Sequence, residues 1–157
     1  MLEFGGVNAM RILDYLTESS VLFLDDTSKH DILTTMAANA ADLGYIVDKQ
    51  TFAKAILERE TIMSTGIGLQ VAIPHAKLST IKDFFVVVAI LKHDAEWDAL
   101  DKMPVRLVFM IGGPDDNQTD YLKILSKITL VIKNPARRKA LMAAKDAQAV
   151  LAAFDEL

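Results

Sequence analysis

The stretch from Arg59 to His75 contains the residues best suited to chemistry. Arg59 is followed by the small, hydroxyl-bearing and glycine-rich residues 64–68, and His75 follows Pro74 at the end of an apolar run. Imidazole gains and loses a proton near neutral pH, and its neutral form is a nucleophile. A histidine, an arginine and hydroxyl donors in one short stretch indicate a site that could accept a phosphoryl group.

A histidine that accepts a phosphoryl group needs a neutral ring, a fixed orientation and donors for the arriving oxygens. Ser64 and Thr65 can supply hydroxyl donors, and the backbone at Gly66 can form part of an anion nest. Arg59 can offer a planar guanidinium to phosphate oxygens. A glycine-rich turn and a lone surface histidine also occur without any function, so the residues alone leave both interpretations open.

Other polar residues give weaker indications. His30 is typical of a solvated residue at a helix start, whereas His93 follows a predicted strand and could lie near a site at strand ends. The acidic residues 94–101 match no known cation-binding loop, which favours a solvated surface. The glycines of residues 64–68 lack the third glycine and the following helix of a dinucleotide site. We therefore predict no metal and no cofactor.

Helical periodicity precedes the glycine-rich stretch. Residues 21–24 form a short apolar run typical of a strand. Ser28 opens a segment whose apolar residues recur at helical spacing until Gly44, and Asp48 opens a second such segment that ends near residues 58–60. We expect one strand and then two helices before the candidate site.

Residues 64–68 are expected to form a small, flexible loop, and three strands and further helices follow that loop. Residues 71–73, 84–91 and 105–111 have strand length, and the last two runs are almost continuously apolar. Such strands are buried on both faces, so helices must cover both sides of the sheet. From residue 119 the chain is periodic as a helix, with an expected inner face of Leu122, Leu125, Ile128 and Ile132. This order predicts an α/β protein, a three-layer α/β/α sandwich with a small mixed sheet covered by helices on both faces.

The composition indicates one folded domain. The chain has 157 residues, of which 52% are hydrophobic and 24% are charged. We expect the domain to span residues 10–157, with residues 1–9 as a flexible extension. A net charge of −4 disfavours a general nucleic-acid binder, and residues 84–91 are too short an apolar run to cross a bilayer. No secretory signal is recognisable, which favours a cytoplasmic protein.

The sequence around His75 resembles a known signature, in which an acid is followed by an apolar residue with glycine and then by an Ala-x-Pro-His ending. The matching residues are Glu60, Ile67, Gly68, Val71, Ala72, Ile73, Pro74, His75 and Ala76. The string is similar to that of the fructose–mannitol type of enzyme IIA domain in the bacterial phosphoenolpyruvate-dependent sugar phosphotransferase system, including its nitrogen-regulatory relatives. The resemblance extends from about residue 10 to residue 154.

This resemblance implies roles for individual residues. His75 would accept a phosphoryl group from the carrier protein HPr or from its nitrogen-branch counterpart, and Arg59 would steady that group. Many family members have a second histidine where this chain has Tyr121. A phenol can donate one hydrogen bond to a phosphate but carries no positive charge near neutral pH. Tyr121 is thus expected to support the phosphoryl group without adding charge.

Two functions are consistent with the resemblance. The first is a stand-alone phosphocarrier of the nitrogen-regulatory type, which passes its phosphoryl group to a IIB domain or to a regulated target protein. The second is a regulatory binding protein that controls transporters or kinases with weak or no onward transfer. The second interpretation is favoured by Tyr121 and by the lack of an attached IIB segment. The intact Arg59, Pro74 and His75 disfavour a member that has lost phosphorylation.

Overall fold

The computed structural model describes residues 10–157, and the predicted extension at residues 1–9 lies outside them. The strands, in chain order, are β1 (Val21–Leu24), β2 (Gly66–Gly68), β3 (Val71–Ala72), β4 (His75–Lys77), β5 (Phe85–Ala95) and β6 (Val105–Gly113). The helices are α1 (Lys29–Asp42), α2 (Lys49–Ile62), α3 (Gln118–Lys133), α4 (Pro135–Ala143) and α5 (Ala147–Ala152). Two short 3₁₀ turns, Ile12–Asp14 and Glu18–Ser20, precede β1.

The sheet is built around the two long strands, β5 and β6, which pair antiparallel. The strand order is β1-β5-β6-β3-β2, with β4 also paired to β6. β1 runs parallel to β5, while β3 and β4 both run parallel to β6. The predicted mixed sheet is confirmed.

Helices cover both faces of the sheet where β5 and β6 are continuously apolar, at residues 85–91 and 107–111. Side chains alternate between the two faces of a strand. Val86 and Val88 accordingly contact a core formed with α3, α4 and α5, whereas Val87 and Ala89 contact a core formed with α1 and α2. The predicted three-layer α/β/α sandwich is confirmed. Within residues 10–157, every helix is too short or too polar to cross a membrane.

The predicted starts of the first two helices are confirmed by their caps. Ser28 Oγ accepts a hydrogen bond from the backbone N–H of Asp31 at 3.3 Å. Asp48 Oδ1 accepts one from the N–H of Thr51 at 3.1 Å. These bonds satisfy N–H groups that have no partner within the first turn of a helix. Gly44 follows the end of α1 with a left-handed φ of 81°.

The inner face of α3 differs by one position from the prediction. Ile128 is buried and Leu125 partly buried as expected, but Leu122 is 50% exposed. Tyr121 is 7% exposed and packs against the sheet instead. Tyrosine has an apolar ring as well as a polar tip, so the periodicity of aliphatic residues alone misses it. The side chain of Tyr121 therefore points inward, toward the sheet.

Residues 64–68 were expected to form a flexible loop, and this prediction is wrong for its second half. Gly66–Gly68 forms β2, which pairs antiparallel with β3. The two connecting residues, Leu69 and Gln70, have φ values of 58° and 65°. Two consecutive left-handed residues are typical of a type I′ hairpin turn, which usually has asparagine and glycine there. The pair Leu69 and Gln70 therefore carries no hairpin signal in the sequence.

β3 and β4 follow the same side of β6 and are separated at Pro74. Val71 lies opposite Leu107, and His75 lies opposite Ile111. The N–H of Ile111 donates to the Pro74 carbonyl at 3.0 Å, so contact with β6 is kept across the break. The sequence suggests that His75 follows the end of a strand. In the structure His75 is instead the first residue of β4. Proline has no N–H to donate and interrupts the strand without turning the chain away.

A buried carboxylate joins the end of α2 to the β2–β3 hairpin. The Glu60 side chain is only 5% exposed, and Lys29 Nζ lies 3.1 Å from its Oε2. Glu60 also accepts hydrogen bonds from the N–H of Thr65 at 2.7 Å and from its hydroxyl at 2.6 Å. The fully buried Trp97 donates its indole N–H to the Thr65 hydroxyl at 3.3 Å. A buried charge is tolerated only with such partners, so Glu60 fixes where the chain enters the hairpin.

Replacing this carboxylate by an amide should destabilise the fold. Glu60→Gln removes the charge that faces Lys29 and puts an N–H₂ group where Thr65 needs an acceptor. We expect the free energy of unfolding to fall by about 2–3 kcal/mol, the range for hydrogen bonds to a charged group. Urea unfolding measures this loss. Glu58→Gln, at an exposed position of the same helix, is the matched control and should change stability by less than about 0.5 kcal/mol.

Candidate functional site

His75 has one ring nitrogen hydrogen-bonded to the backbone, and its other ring nitrogen makes no hydrogen bond to residues 10–157. Its ring Nδ1 lies 3.1 Å from the backbone carbonyl oxygen of Ile73. A carbonyl can only accept, so this contact assigns the proton to Nδ1 and the lone pair to Nε2. The residue is partly buried, at the start of β4. The ring therefore has a fixed tautomer and presents Nε2 as the nucleophilic atom.

The surroundings of His75 favour its neutral form. Burial is the main cause that lowers the pKa of His75, and the positive charges of Arg59 and Lys77 lower it further. The hydrogen bond to Ile73 and the negative charge of Glu60 act in the opposite direction without reversing the result. A lowered pKa keeps the imidazole unprotonated at neutral pH. The environment thus preserves the nucleophilic form.

Tyr121 lies beside the imidazole. The centroids of the His75 and Tyr121 rings are 5.6 Å apart, and the ring planes are tilted by 45°. Burial raises the pKa of Tyr121, although the positive charge of Arg59 partly opposes this effect. The phenol is neutral at physiological pH and can donate or accept one hydrogen bond. The inward orientation of this position on α3 is what brings the side chain to His75.

Arg59 lies in the last turn of α2, where its guanidinium Nη1 donates to the Met63 carbonyl at 2.9 Å. Its charge acts on both His75 and Tyr121, since it lowers the pKa of each group. The structure therefore brings together three of the residues singled out in the sequence, from α2, β4 and α3. The guanidinium keeps further N–H donors beyond the one that binds Met63.

The three expected phosphate donors of the loop are engaged inside the protein. The N–H and hydroxyl of Thr65 both bind Glu60. The Ser64 hydroxyl donates to the Trp97 carbonyl at 2.6 Å and accepts from the N–H of Gly66 at 3.1 Å. Satisfying a buried carboxylate and a buried indole requires these groups. In this structure their hydrogen bonds hold the hairpin.

Lys77 is a site residue that the sequence reasoning missed. Its ammonium lies 4.3 Å from the centroid of the Tyr121 ring and donates to Oε1 of Gln118. Lys77 is two residues beyond His75 in β4, and side chains two apart in a strand point to the same face. That spacing is the signal that could have found Lys77, had residues 75–77 been recognised as a strand.

The weaker candidates lie elsewhere. His30 and His93 are exposed beside Asp31 and Asp25, at 3.5 and 3.9 Å respectively. On β5, Val86 lies opposite Ile111 of β6, which itself lies opposite His75. His93 is farther along β5, roughly 20 Å from Val86 at the spacing of residues in a strand. The suggestion that it could lie near the site is therefore wrong.

The acidic loop uses its carboxylates locally. Asp94 lies 3.7 Å from Arg106, and Asp101 accepts backbone hydrogen bonds from Leu69 and Met103, each at 3.0 Å. Among the residues that the structure describes, no three histidine, cysteine or acidic side chains are grouped to hold a metal ion.

Comparison with known proteins identifies relatives over almost the whole chain. The family model described as "Phosphoenolpyruvate-dependent sugar phosphotransferase system, EIIA 2" matches residues 14–157. A nitrogen regulatory protein of Bradyrhizobium diazoefficiens is 34% identical over 142 residues, which cover 90% of this chain and 92% of that protein. A fructose-specific EIIABC component of Bacillus subtilis is 30% identical over 143 residues, covering 90% of this chain. The matched region is only 22% of the Bacillus protein.

Solved structures share the fold. Nitrogen regulatory protein IIA-Ntr of Neisseria meningitidis has a TM-score of 0.84 and 25% identity, and the match covers 90% of this chain and 97% of that one. The mannitol IIA of Escherichia coli has a TM-score of 0.76 and 16% identity, with 88% and 98% coverage respectively. The family match and the full-length relative agree with this architecture. The chain belongs to the EIIA type 2 family of the phosphoenolpyruvate-dependent sugar phosphotransferase system.

Proposed function

We propose that this protein is a histidine phosphocarrier and that Nε2 of His75 is the atom that accepts the phosphoryl group. The observation that carries the proposal is the contact between Nδ1 and the Ile73 carbonyl at 3.1 Å, which leaves Nε2 as the nucleophile. Partial burial and neighbouring cations keep the ring neutral. The sequence resemblance and the family membership support the same residue and the same chemistry.

The transfer is a displacement at phosphorus. The lone pair of Nε2 forms a new P–N bond while the P–N bond of the donor's phosphohistidine breaks and returns its electron pair to the donor ring. The proton on Nδ1 stays in its hydrogen bond to Ile73, so the phosphorylated ring carries a positive charge and transfers the group readily. Phosphoryl transfer requires mainly position and charge stabilisation, and both come from fixed groups.

Arg59 and Tyr121 are proposed to receive the phosphoryl oxygens. Arg59 has donors left beyond its bond to Met63, and Tyr121 can donate its single hydroxyl proton. We propose an indirect role for Ser64, Thr65 and Gly66, which do not bind the phosphoryl group themselves. They keep the hairpin attached to α2, and so hold the backbone next to Arg59, through the bonds to Glu60 and Trp97.

The proposed donor is HPr or its nitrogen-branch counterpart, and the recipient is a IIB domain or a regulated protein in the cytoplasm. Support for a IIB recipient comes from a relative of the same fold. The mannitol IIA of Escherichia coli, with a TM-score of 0.77, is solved in complex with phosphorylated enzyme IIB. The fructose-specific relative of Bacillus subtilis is named an EIIABC component.

A regulatory role is the second candidate, in which the phosphorylation state of His75 decides whether a target protein is bound. Two observations favour it. The relative that the chain covers to 92% is named a nitrogen regulatory protein. Tyr121, unlike a second histidine, adds no positive charge beside His75. A carrier and a regulator differ in the step after phosphorylation: the carrier loses its phosphoryl group to a IIB domain, whereas the regulator retains it and changes partner.

Removal of His75 should abolish phosphorylation. We expect the purified protein to gain the mass of one acid-labile phosphoryl group when incubated with phosphoenolpyruvate, enzyme I and HPr, or with the nitrogen-branch pair. Intact mass spectrometry measures the gain, and His75→Ala should show none. His93→Ala, which changes an exposed histidine at the far end of β5, is the matched control and should be phosphorylated normally. Phosphorylation of His75→Ala would contradict the proposal.

The pH dependence of the site depends on the lowered pKa of His75. We expect this ring to titrate below the ordinary value of 6.5, because burial and the cations Arg59 and Lys77 outweigh the hydrogen bond to Ile73 and the charge of Glu60. Tyr121 beside the ring is neutral. Phosphoryl acceptance should then persist below pH 6.5. The unfolded chain takes up this proton first, so the stability contributed by the neutral ring is lost as pH falls from 6.5 through the folded pKa.

Nuclear magnetic resonance of the histidine ring carbons measures this pKa directly, with the same titration in the urea-unfolded protein as the control. A pKa for His75 in the folded protein at or above that of the unfolded chain would contradict the expectation.

A further inference from the structure

A positive charge lies beside Tyr121, whose phenol carries none near neutral pH. Lys77 Nζ lies over the Tyr121 ring at 4.3 Å from its centroid, and the same ring lies 5.6 Å from the ring of His75. The imidazole and the ammonium are thus both close to the same phenol ring. A lysine carries its charge on a flexible four-carbon stem with three donors, so its ammonium can move toward an arriving anion.

Strand geometry keeps Lys77 available to the site. His75 and Lys77 are the first and last residues of β4, and both are partly exposed, while Ala76 between them is buried. The register of β4 is held by pairing with Ile111, Gly112 and Gly113 of β6. Since alternate residues of a strand face the same way, the backbone directs both side chains to one side. The position of the lysine relative to the imidazole does not depend on a loop.

We infer that Lys77 is the second cation of the site: its ammonium, held by Gln118 and the Tyr121 ring in the unphosphorylated protein, turns to the phosphoryl oxygens on His75. This inference rests on the proposed function and deepens it. Arg59 approaches from the end of α2 and Lys77 from β4, so the two charges reach the phosphoryl group from different elements. Tyr121 keeps its proposed role of donating one neutral hydrogen bond to a phosphoryl oxygen.

The alternative is a structural role, in which Lys77 merely attaches β4 to the first turn of α3. Its bond to Gln118, the first residue of α3, would serve that purpose. The two roles predict different results when Gln118 is replaced and when the charge of Lys77 is removed. A structural tether is lost in Gln118→Ala although the lysine remains, whereas a phosphoryl-binding cation is lost only when the charge itself is removed.

The test compares Lys77→Met, which keeps the apolar stem, with Lys77→Arg, which keeps the charge. Potassium phosphoramidate is the phosphoryl donor, because it requires no partner protein: its P–N bond breaks, ammonia leaves, and the lone pair of Nε2 forms the new bond. We expect the rate of His75 phosphorylation in Lys77→Met to fall by about tenfold, the effect of one lost charge-assisted contact. Lys77→Arg should recover most of the rate.

A second readout is the pKa of the His75 ring in the unphosphorylated protein. It should rise in Lys77→Met, because a positive neighbour has been removed, and stay near the original value in Lys77→Arg. Lys82→Met, at an exposed position in the loop before β5, is the matched control and should change neither rate nor pKa. Thermal unfolding of each variant establishes that the fold is kept.

The inference is overturned if Lys77→Met accepts the phosphoryl group at the original rate, whether or not the His75 pKa changes. It is equally overturned if Gln118→Ala reproduces the loss while Lys77→Arg fails to restore it. Both results leave the role of His75 itself intact, since that role is tested by His75→Ala. Conversely, failure of every protein donor to phosphorylate the original chain would remove the proposed function, and the phosphoramidate rate and the ring titration would still report on Lys77.

Discussion

The placement of the site depends on the need to satisfy one buried carboxylate. Glu60 is withdrawn from water at the end of α2, and a charge in that position is stable only with an opposite charge and hydrogen-bond donors around it. Thr65 and Lys29 provide them, and Trp97 closes over the Thr65 hydroxyl. This requirement fixes the exit of α2, the entry into the hairpin and therefore the distance between Arg59 and the strands. The hydroxyl groups of Ser64 and Thr65, which the sequence offers as phosphate donors, bind Trp97 and Glu60 and hold the hairpin in place.

The second determinant is the pair of long strands that forms the centre of the sheet. β6 pairs with β5 on one side and with both β3 and β4 on the other, so it holds His75 in register even though Pro74 interrupts the strand. The helical layers complete the site from opposite directions. α2 brings a guanidinium, and α3, by turning Tyr121 inward, brings a phenol. No single element contains the site: Arg59, His75 and Lys77 come from one short stretch of the chain, whereas Tyr121 comes from α3.

Much of this could be predicted from the sequence, and the failures have physical causes. The unbroken apolar runs of β5 and β6 required helices on both faces, and Ser28 and Asp48 marked helix starts, because these signals are local. The hairpin tip at Leu69 and Gln70 adopts an unusual backbone for its residue types, so tertiary contacts decide it. The internal use of Ser64 and Thr65 depends on burial of Glu60, which no local pattern records. Lys77 was missed because its side chain shares a face with His75 only when residues 75–77 form a strand after Pro74.

The hydrogen bond between His75 and the Ile73 carbonyl also limits how partner proteins can approach the ring. A ring held at one nitrogen offers a single reactive nitrogen and a single direction of approach. For a phosphocarrier, donor and recipient must then occupy the same face in turn, and neither can wait beside the other. Under the proposed function, a bound recipient competes with the donor, so the relative abundance of the two partners would set the phosphorylated fraction of the protein.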